Sequence, residues 1–108
     1  MYRVNLKPMS VNDAWQGRRF KTKNYYKYCK DLSFVLPKIK VHDGSLEIHF
    51  IFWITSCSDI DNPIKLIIDI FQKKYHFDDK NVMKLIVEKK IVKKGSEYFE
   101  FKIIPYKF

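Results

Sequence analysis

The sequence is poor in cysteine and glycine, and each shortage argues against a class of protein. Two cysteines, Cys29 and Cys57, are too few for the disulfide scaffold of a small secreted protein, so we expect reduced thiols. A zinc site joining them to His49 and His76 is disfavoured, because no pair stands at Cys-x-x-Cys or His-x-x-x-His spacing. The three glycines are scattered singly, and no Gly/Ser-rich linker or internal repeat divides the chain.

Long apolar runs are also missing. The longest, residues 50–54, is the size of a strand and far below the ~20 residues of a membrane-spanning helix. Residues 1–3 do not open an apolar signal region. We therefore expect a cytoplasmic protein with no membrane partner. A length of 108 residues with 46% hydrophobic content predicts one folded domain over 1–108.

Acidic residues are scarce: 12 Asp and Glu stand against 21 Lys and Arg, for a formal charge of +9. The basic excess lies at the two ends of the chain, in residues 1–30 and 80–108. A basic surface attracts a polyanion and steers its approach, which makes nucleic acid the favoured partner. The alternative, a lysine-rich surface with no binding role, stays open on charge alone.

Hydrophobic periodicity predicts an α+β domain with the order β-α-β-α-β-β: a small mixed four-stranded sheet covered by two helices. Residues 8–23 have no clear period and are predicted to form a long loop. Asn62-Pro63 is typical of an N-cap followed by proline in the first helical turn. The predicted elements are strands over 2–6, 46–54, 82–92 and 99–103, a helix over 24–36, and a second helix beginning after Asn62.

Five of the twelve acids fall between residues 59 and 79. Asp59 and Asp61 follow the clearest strand, and if the chain is still extended there, their side chains point to the same side. Asp78 and Asp79 come after the second helix and could return alongside the strand end, so that three or four carboxylates meet. Mg²⁺ or Mn²⁺, which prefer oxygen ligands, would relieve their repulsion.

A divalent ion in such a cluster can polarise a phosphoryl oxygen and lower the pKa of a bound water, which is the chemistry of phosphodiester hydrolysis. Lys65 would project to the same side as Asp61 and Asp69, where it could stabilise charge on a phosphate. The alternatives stay open: Lys65 in a surface ion pair, Asp59 and Asp61 in a capping cluster, and Asp78 and Asp79 in a turn.

The residues 59–65 (Asp-Ile-Asp-Asn-Pro-Ile-Lys), the helix acid Asp69 and the run Phe77-Asp78-Asp79 resemble the core motif of RusA-type Holliday junction resolvases. The N-terminal residues 10–12, Trp15 and 17–22 are similar to phage-type members. The resemblance extends over essentially the whole chain and implies a RusA-like fold in a bacterial or phage-infected cell.

The resemblance implies a homodimeric, Mg²⁺-dependent endonuclease that nicks four-way DNA junctions in symmetric pairs and leaves 5′-phosphate and 3′-hydroxyl ends. It implies Asp59, Asp61 and Asp79 as catalytic metal ligands, with metal-activated water as the nucleophile and no small-molecule cofactor. Lys65 matches a functionally important lysine, and Asp69 and Asp78 would be secondary.

The sequence departs from some members just before the motif, where residues 56–58 read Ser-Cys-Ser in place of an arginine run. DNA contacts would then come from Arg18, Arg19, Lys21, Lys23 and the C-terminal lysines. Two rival functions stay open: a non-catalytic module that binds DNA junctions on the same fold, and an RNA-binding protein.

Overall fold

A mixed four-stranded sheet is the framework of the protein. The structure, a computed structural model, describes residues 1–9, 15–16, 20–21 and 23–108; at 15, 16, 20 and 21 it describes the backbone only. The elements in chain order are β1 (Tyr2–Val4), β2 (Trp15–Gln16), β3 (Phe20–Lys21), α1 (Lys23–Val35), β4 (Leu46–Ile54), α2 (Ile64–Tyr75), the 3-10 turn η1 (Asp79–Asn81), β5 (Val82–Ile91) and β6 (Tyr98–Pro105).

The strand order of this sheet is β1-β6-β4-β5. Strand β6 is antiparallel to β1 and β4, whereas β5 is parallel to β4. The predicted α+β class, with a four-stranded mixed sheet and two helices, is confirmed. The predicted loop over 8–23 is wrong in part, because β2 and β3 pair there as two short antiparallel strands. The rest of this prediction falls largely on residues 10–14, 17–19 and 22, which lie outside the described residues.

The central strand β4 alternates as the sequence predicts. Its residues are buried at every second position, from Leu46 to Ile54, and half-buried between them. The buried side faces the helices, where Phe71 of α2 packs against Phe50 and Phe101 with ring centroids 5.7 and 4.7 Å apart. Aromatic side chains bury much apolar area each, so this cluster supplies much of the stabilising energy of the core.

Helix α2 is amphipathic, and its two ends differ in how they are capped. Its buried residues are Leu66, Ile67, Ile70, Phe71 and Tyr75. Asn62 was predicted as the N-cap, but the cap residue is Pro63, which has no side chain able to accept the free amides. At the other end His76 adopts the left-handed conformation with φ of 57°, and its amide donates to the Gln72 carbonyl.

The helices leave one face of the sheet open. On that face Tyr98 and Trp53 stack with centroids 5.2 Å apart, Arg3 lies over Tyr98 and Lys90 over Trp53. These side-chain contacts link one residue from each of the four strands.

Two chemical expectations concern membranes and thiols. Within the described residues no helix has the length and apolar character to cross a membrane. Cys29 is half-buried and Cys57 is exposed, and both are free cysteines in the structure.

Candidate active site

A groove of about 400 Å³ lies between the start of α2, the turn η1 and the start of β5. Asp61, Lys65 and Asp79 supply its polar groups. Ile64, Ile68 and Val82 supply its apolar wall. The groove therefore brings together three of the four residues predicted to be catalytic.

One part of the site is cross-linked by hydrogen bonds and ion pairs; we call Lys65, Asp69, Gln72 and Asp79 the α2–η1 cluster. Lys65 Nζ lies 3.2 Å from Asp69 Oδ1 and 3.6 Å from Asp79 Oδ2. Gln72 donates to Asp69 Oδ1 at 3.3 Å, and its Oε1 accepts from the Asp79 amide at 2.9 Å. Lys65, Asp69 and Gln72 share one helix face because they stand at i, i+4 and i+7.

The charges of the α2–η1 cluster stabilise one another. The hydrogen bond to Asp69 holds the pKa of the Lys65 ammonium above its usual range, and Asp79 contributes to the same shift. A lysine at this position stays protonated and presents a fixed positive charge to the groove.

The other part of the site is the segment 55–63, which carries Asp59 and Asp61. Its fold depends on its own backbone and on one lysine: Lys89 Nζ of β5 donates to the Ser56 carbonyl at 3.2 Å and to the Ser58 carbonyl at 2.5 Å. The amide of Ile64 donates to the Asp61 carbonyl at 3.3 Å. The carboxylates of Asp59 and Asp61 have no hydrogen-bond or ion-pair partner among the described residues.

Asp59 does not reach the groove. It lines a neighbouring cavity of about 230 Å³ with Lys7, Asn62 and Glu97, among other residues. Across the part of the chain that the structure describes, no group of three or more acidic, His or Cys side chains is close enough to hold a metal ion. The expected convergence of Asp59, Asp61 and Asp79 is therefore not seen in this structure.

The path of the chain explains this arrangement. The extended geometry assumed for residues 59–61 is wrong, because β4 ends at Ile54 and the chain then turns, with Ser58 bonded back to Thr55. In addition, β5 is parallel to β4 and begins beside Leu46. The chain therefore brings Asp78 and Asp79 back toward the first residue of β4, and not toward its last residue, after which Asp59 follows.

Comparison with known proteins decides the family. The family model of endodeoxyribonuclease RusA matches residues 11–98. The chain belongs to the RusA family. The predicted resemblance is thereby confirmed, and membership implies Holliday junction resolvase activity on branched DNA. Among curated protein sequences, none matches the chain.

Two adjacent aspartates of this RusA chain, which the sequence does not distinguish, face different surroundings. Asp78 caps η1, since its Oδ1 accepts from the Lys80 amide at 3.1 Å, and this bond holds the pKa of its carboxyl below the usual range. Asp79 faces Lys65 and the groove. The geometry thus favours Asp79 over Asp78 as the functional residue of the pair.

Most of the residues predicted to bind DNA lie outside the residues that the structure describes. Arg18 and Arg19 lie outside the described residues, and of Lys21 only the backbone, in β3, is described. Lys23 is exposed at the first residue of α1.

Sequence reasoning missed two residues of the site. Gln72 bridges Asp69 and Asp79, and its i+7 spacing from Lys65 could have indicated it. Lys89 holds the segment 55–63, but nothing in the local sequence signals this, because the contact depends on the parallel pairing of β4 and β5.

Proposed function

We propose that this RusA family chain is a Mg²⁺-dependent endodeoxyribonuclease that resolves four-way junctions by paired, symmetric nicks. The observation that carries the proposal is the groove lined by Asp61, Lys65 and Asp79, in which Lys65 Nζ lies 3.6 Å from Asp79 Oδ2. A cytoplasmic setting in a bacterial or phage-infected cell, where branched DNA arises, fits this activity.

The donor set of the site suits Mg²⁺, with Mn²⁺ as a substitute. Asp61 and Asp79 offer only oxygen atoms, the ligands that these hard cations prefer, and Asp59 belongs to the same segment as Asp61. We propose that Asp61 and Asp79, which line the groove, would hold the ion, with Asp59 as a third ligand that would have to come from the neighbouring cavity. Bound there, it would supply Lewis acidity and a water of lowered pKa.

The protein's own groups have separate tasks in this proposal. Lys65 places a positive charge beside the scissile phosphate and stabilises the charge that develops on its oxygens. The apolar wall of Ile64, Ile68 and Val82 limits water around the reacting atoms and so strengthens these electrostatic interactions. Asp69 and Gln72 fix Lys65 and Asp79 in place.

Two symmetric cuts require two sites, and the part of the chain described here holds one such groove. A two-fold homodimer supplies the second. The basic residues Arg18, Arg19, Lys21 and Lys23, with the C-terminal lysines, would bind the phosphates of the junction arms.

The test is cleavage of a labelled four-way junction with Mg²⁺ by the wild type and by Asp59→Asn, Asp61→Asn and Asp79→Asn. Each substitution removes one negative charge at nearly constant shape, so cleavage should fall below detection while junction binding persists. Asp31→Asn, which makes the same charge change on α1, is the matched control and should cleave like the wild type. Full cleavage by Asp61→Asn or Asp79→Asn would refute the assigned site.

A non-catalytic junction-binding module is the second candidate, and one observation favours it: Asp59 lies in a separate cavity from Asp61 and Asp79. The two candidates differ in metal binding. A catalytic site should bind Mn²⁺, measured by the loss of its free electron paramagnetic resonance signal, and Asp61→Asn should abolish that binding. Tight junction binding by the wild type with neither Mn²⁺ uptake nor cleavage would favour the module.

A further inference from the structure

Strand β5 forms a long edge of the four-stranded sheet. It spans Val82–Ile91, ten residues, and within the described residues it pairs only with β4. The opposite edge, β1, has three residues. An edge strand presents a row of unpaired amides and carbonyls, and long apolar edges invite pairing with another chain.

Apolar side chains are exposed along β5. Leu85 and Ile86 are each 41% exposed, although they lie in the middle of the strand. Met83 and Ile91 are 49% and 66% exposed. Because neighbouring residues of a strand point to opposite faces, Leu85 and Ile86 leave apolar area exposed on both faces of this edge strand, which is the composition of an edge that pairs with another chain.

The central residues of β5 are complementary to themselves. Residues 84–88 read Lys-Leu-Ile-Val-Glu. If two copies run antiparallel about Ile86, Lys84 faces Glu88 of the second copy, Leu85 faces Val87, and Ile86 faces itself. Facing residues of an antiparallel pair lie on the same side of the sheet, so each ion pair and each apolar pair is in contact.

The charged groups at this edge are available for the pairing. Among the described residues, Lys84 Nζ and Glu88 Oε2 have only long ion-pair contacts, 3.9 Å each, with Glu47 and Lys90 respectively. Lys89 and Lys90, in contrast, have partners at shorter range or over a ring: Lys89 donates to the Ser58 carbonyl, and Lys90 lies over the Trp53 ring. The strand centre is thus neutral, and the lysines that would repel a second copy are engaged.

We propose that two copies of this chain associate through antiparallel pairing of β5 about a two-fold axis at Ile86, which joins their sheets into one of eight strands. The proposal specifies the interface of the homodimer and rests on the proposed function for the need of two sites. The two-fold axis keeps the helices of both copies on one side. The two grooves, each beside Val82, are then offset by eight residues, about 26 Å along the strands.

The first test reverses charges. K84E and E88K each create two like-charge contacts across the two-fold axis, and the double variant K84E/E88K restores opposite charges. The dimer dissociation constant, measured by sedimentation equilibrium, should rise at least about ten-fold in each single variant and return to within about three-fold of the wild type in the double variant. A general effect of charge on folding would not be reversed by the second substitution.

The second test is self-cross-linking. In a background with Cys29→Ser and Cys57→Ser, Ile86→Cys places two thiols on the axis, where facing Cα atoms lie about 4.5–5.5 Å apart, within disulfide range. Oxidation should yield covalent dimer, with and without junction DNA. Ile91→Cys is the matched control: it is exposed on the same strand, but its two copies would be about 33 Å apart, so it should not cross-link.

The outcomes separate this interface from the proposed function. A wild type that stays monomeric with and without DNA overturns the inference, and so does a dimer in which I86C does not cross-link and the charge variants are silent. In that second case cleavage that depends on Asp61 leaves the proposed function intact. Cross-linking of I86C in a protein that does not cleave supports the interface and rejects the nuclease.

Discussion

The α2–η1 cluster and the segment 55–63 face the same groove but are held in different ways. In the cluster, Lys65 and Gln72 connect two acids through four contacts of 2.9 to 3.6 Å. In the segment, Lys89 holds carbonyl groups and leaves the two carboxylates without a partner among the described residues. In the α2–η1 cluster, Lys65 therefore offsets the negative charge of the carboxylates. In the segment 55–63, a bound cation could take that role for Asp59 and Asp61.

This contrast separates stability from activity. Carboxylates that already have a cation contribute to folding, so their loss should affect both properties. Carboxylates without one repel each other and favour a bound cation, so their loss should affect activity alone. The following substitutions test this distinction.

The largest effect is expected for Asp61→Asn and Asp79→Asn. Each should lower the single-turnover cleavage rate by at least about 1,000-fold, since a metal ligand accounts for several kcal/mol of transition-state stabilisation. Thermal unfolding should then distinguish them. Asp79→Asn should lower the melting temperature slightly, and Asp61→Asn should leave it unchanged or raise it. A larger melting-temperature loss in Asp61→Asn would contradict the contrast.

Lys65→Met should lower the cleavage rate by about 100-fold, the usual cost of removing one charge-stabilising group near a transition state. Junction affinity should change little, because one phosphate contact among many is lost. The measurement is single-turnover cleavage at saturating protein, with Lys65→Arg as the control that keeps the charge. Equal activity of Lys65→Met and wild type would leave Lys65 only its ion pairs with Asp69 and Asp79.

Gln72→Leu should have a smaller effect, about ten-fold in rate, because Gln72 acts by positioning Asp79. A positioning role predicts a second change, a rise in the Mg²⁺ concentration that gives half-maximal cleavage. Gln72→Glu, which keeps the oxygen that accepts from the Asp79 amide, should recover part of this shift. If only the melting temperature changes, Gln72 is merely structural.

The smallest effect on cleavage is expected for Asp78→Ala, within about two-fold, because Asp78 caps η1 and does not line the groove. Stability should change with pH. The pKa of the folded Asp78 carboxyl is below its usual range, so its contribution is present above the unfolded pKa and is lost as pH falls through the folded one. The melting-temperature difference from wild type should therefore be full at neutral pH and shrink in acid.

Sequence patterns predicted the elements whose environment differs between their two faces. Strand β4 is buried at alternate positions and α2 has one apolar stripe, so periodicity is informative for both. Strand β5 was also predicted, over residues 82–92, although its burial does not alternate; its parallel direction was not predicted. The prediction of Asn62 as the N-cap of α2 was wrong, because the Asn-Pro motif alone does not determine where the turn before the helix ends.

Sequence patterns predicted some of the site residues and missed others. Residue type and spacing indicated Asp61, Lys65 and Asp79, which line one groove. The position of Asp59 was not predictable, because it depends on Lys89, thirty residues further along the chain. Gln72 was not predicted, because it carries no charge and the candidates were chosen among acidic and basic residues.

The strand order has a consequence for biosynthesis. Strand β6 lies between β1 and β4 and contributes Phe99 and Phe101 to the core, although it is the last of these strands to leave the ribosome. The nascent chain can form α1 and the β4-α2-β5 unit, but the sheet remains split, with buried-face aromatics uncovered, until β6 emerges. If translation stalls within β6, the incomplete sheet would therefore expose apolar core side chains to chaperones and proteases.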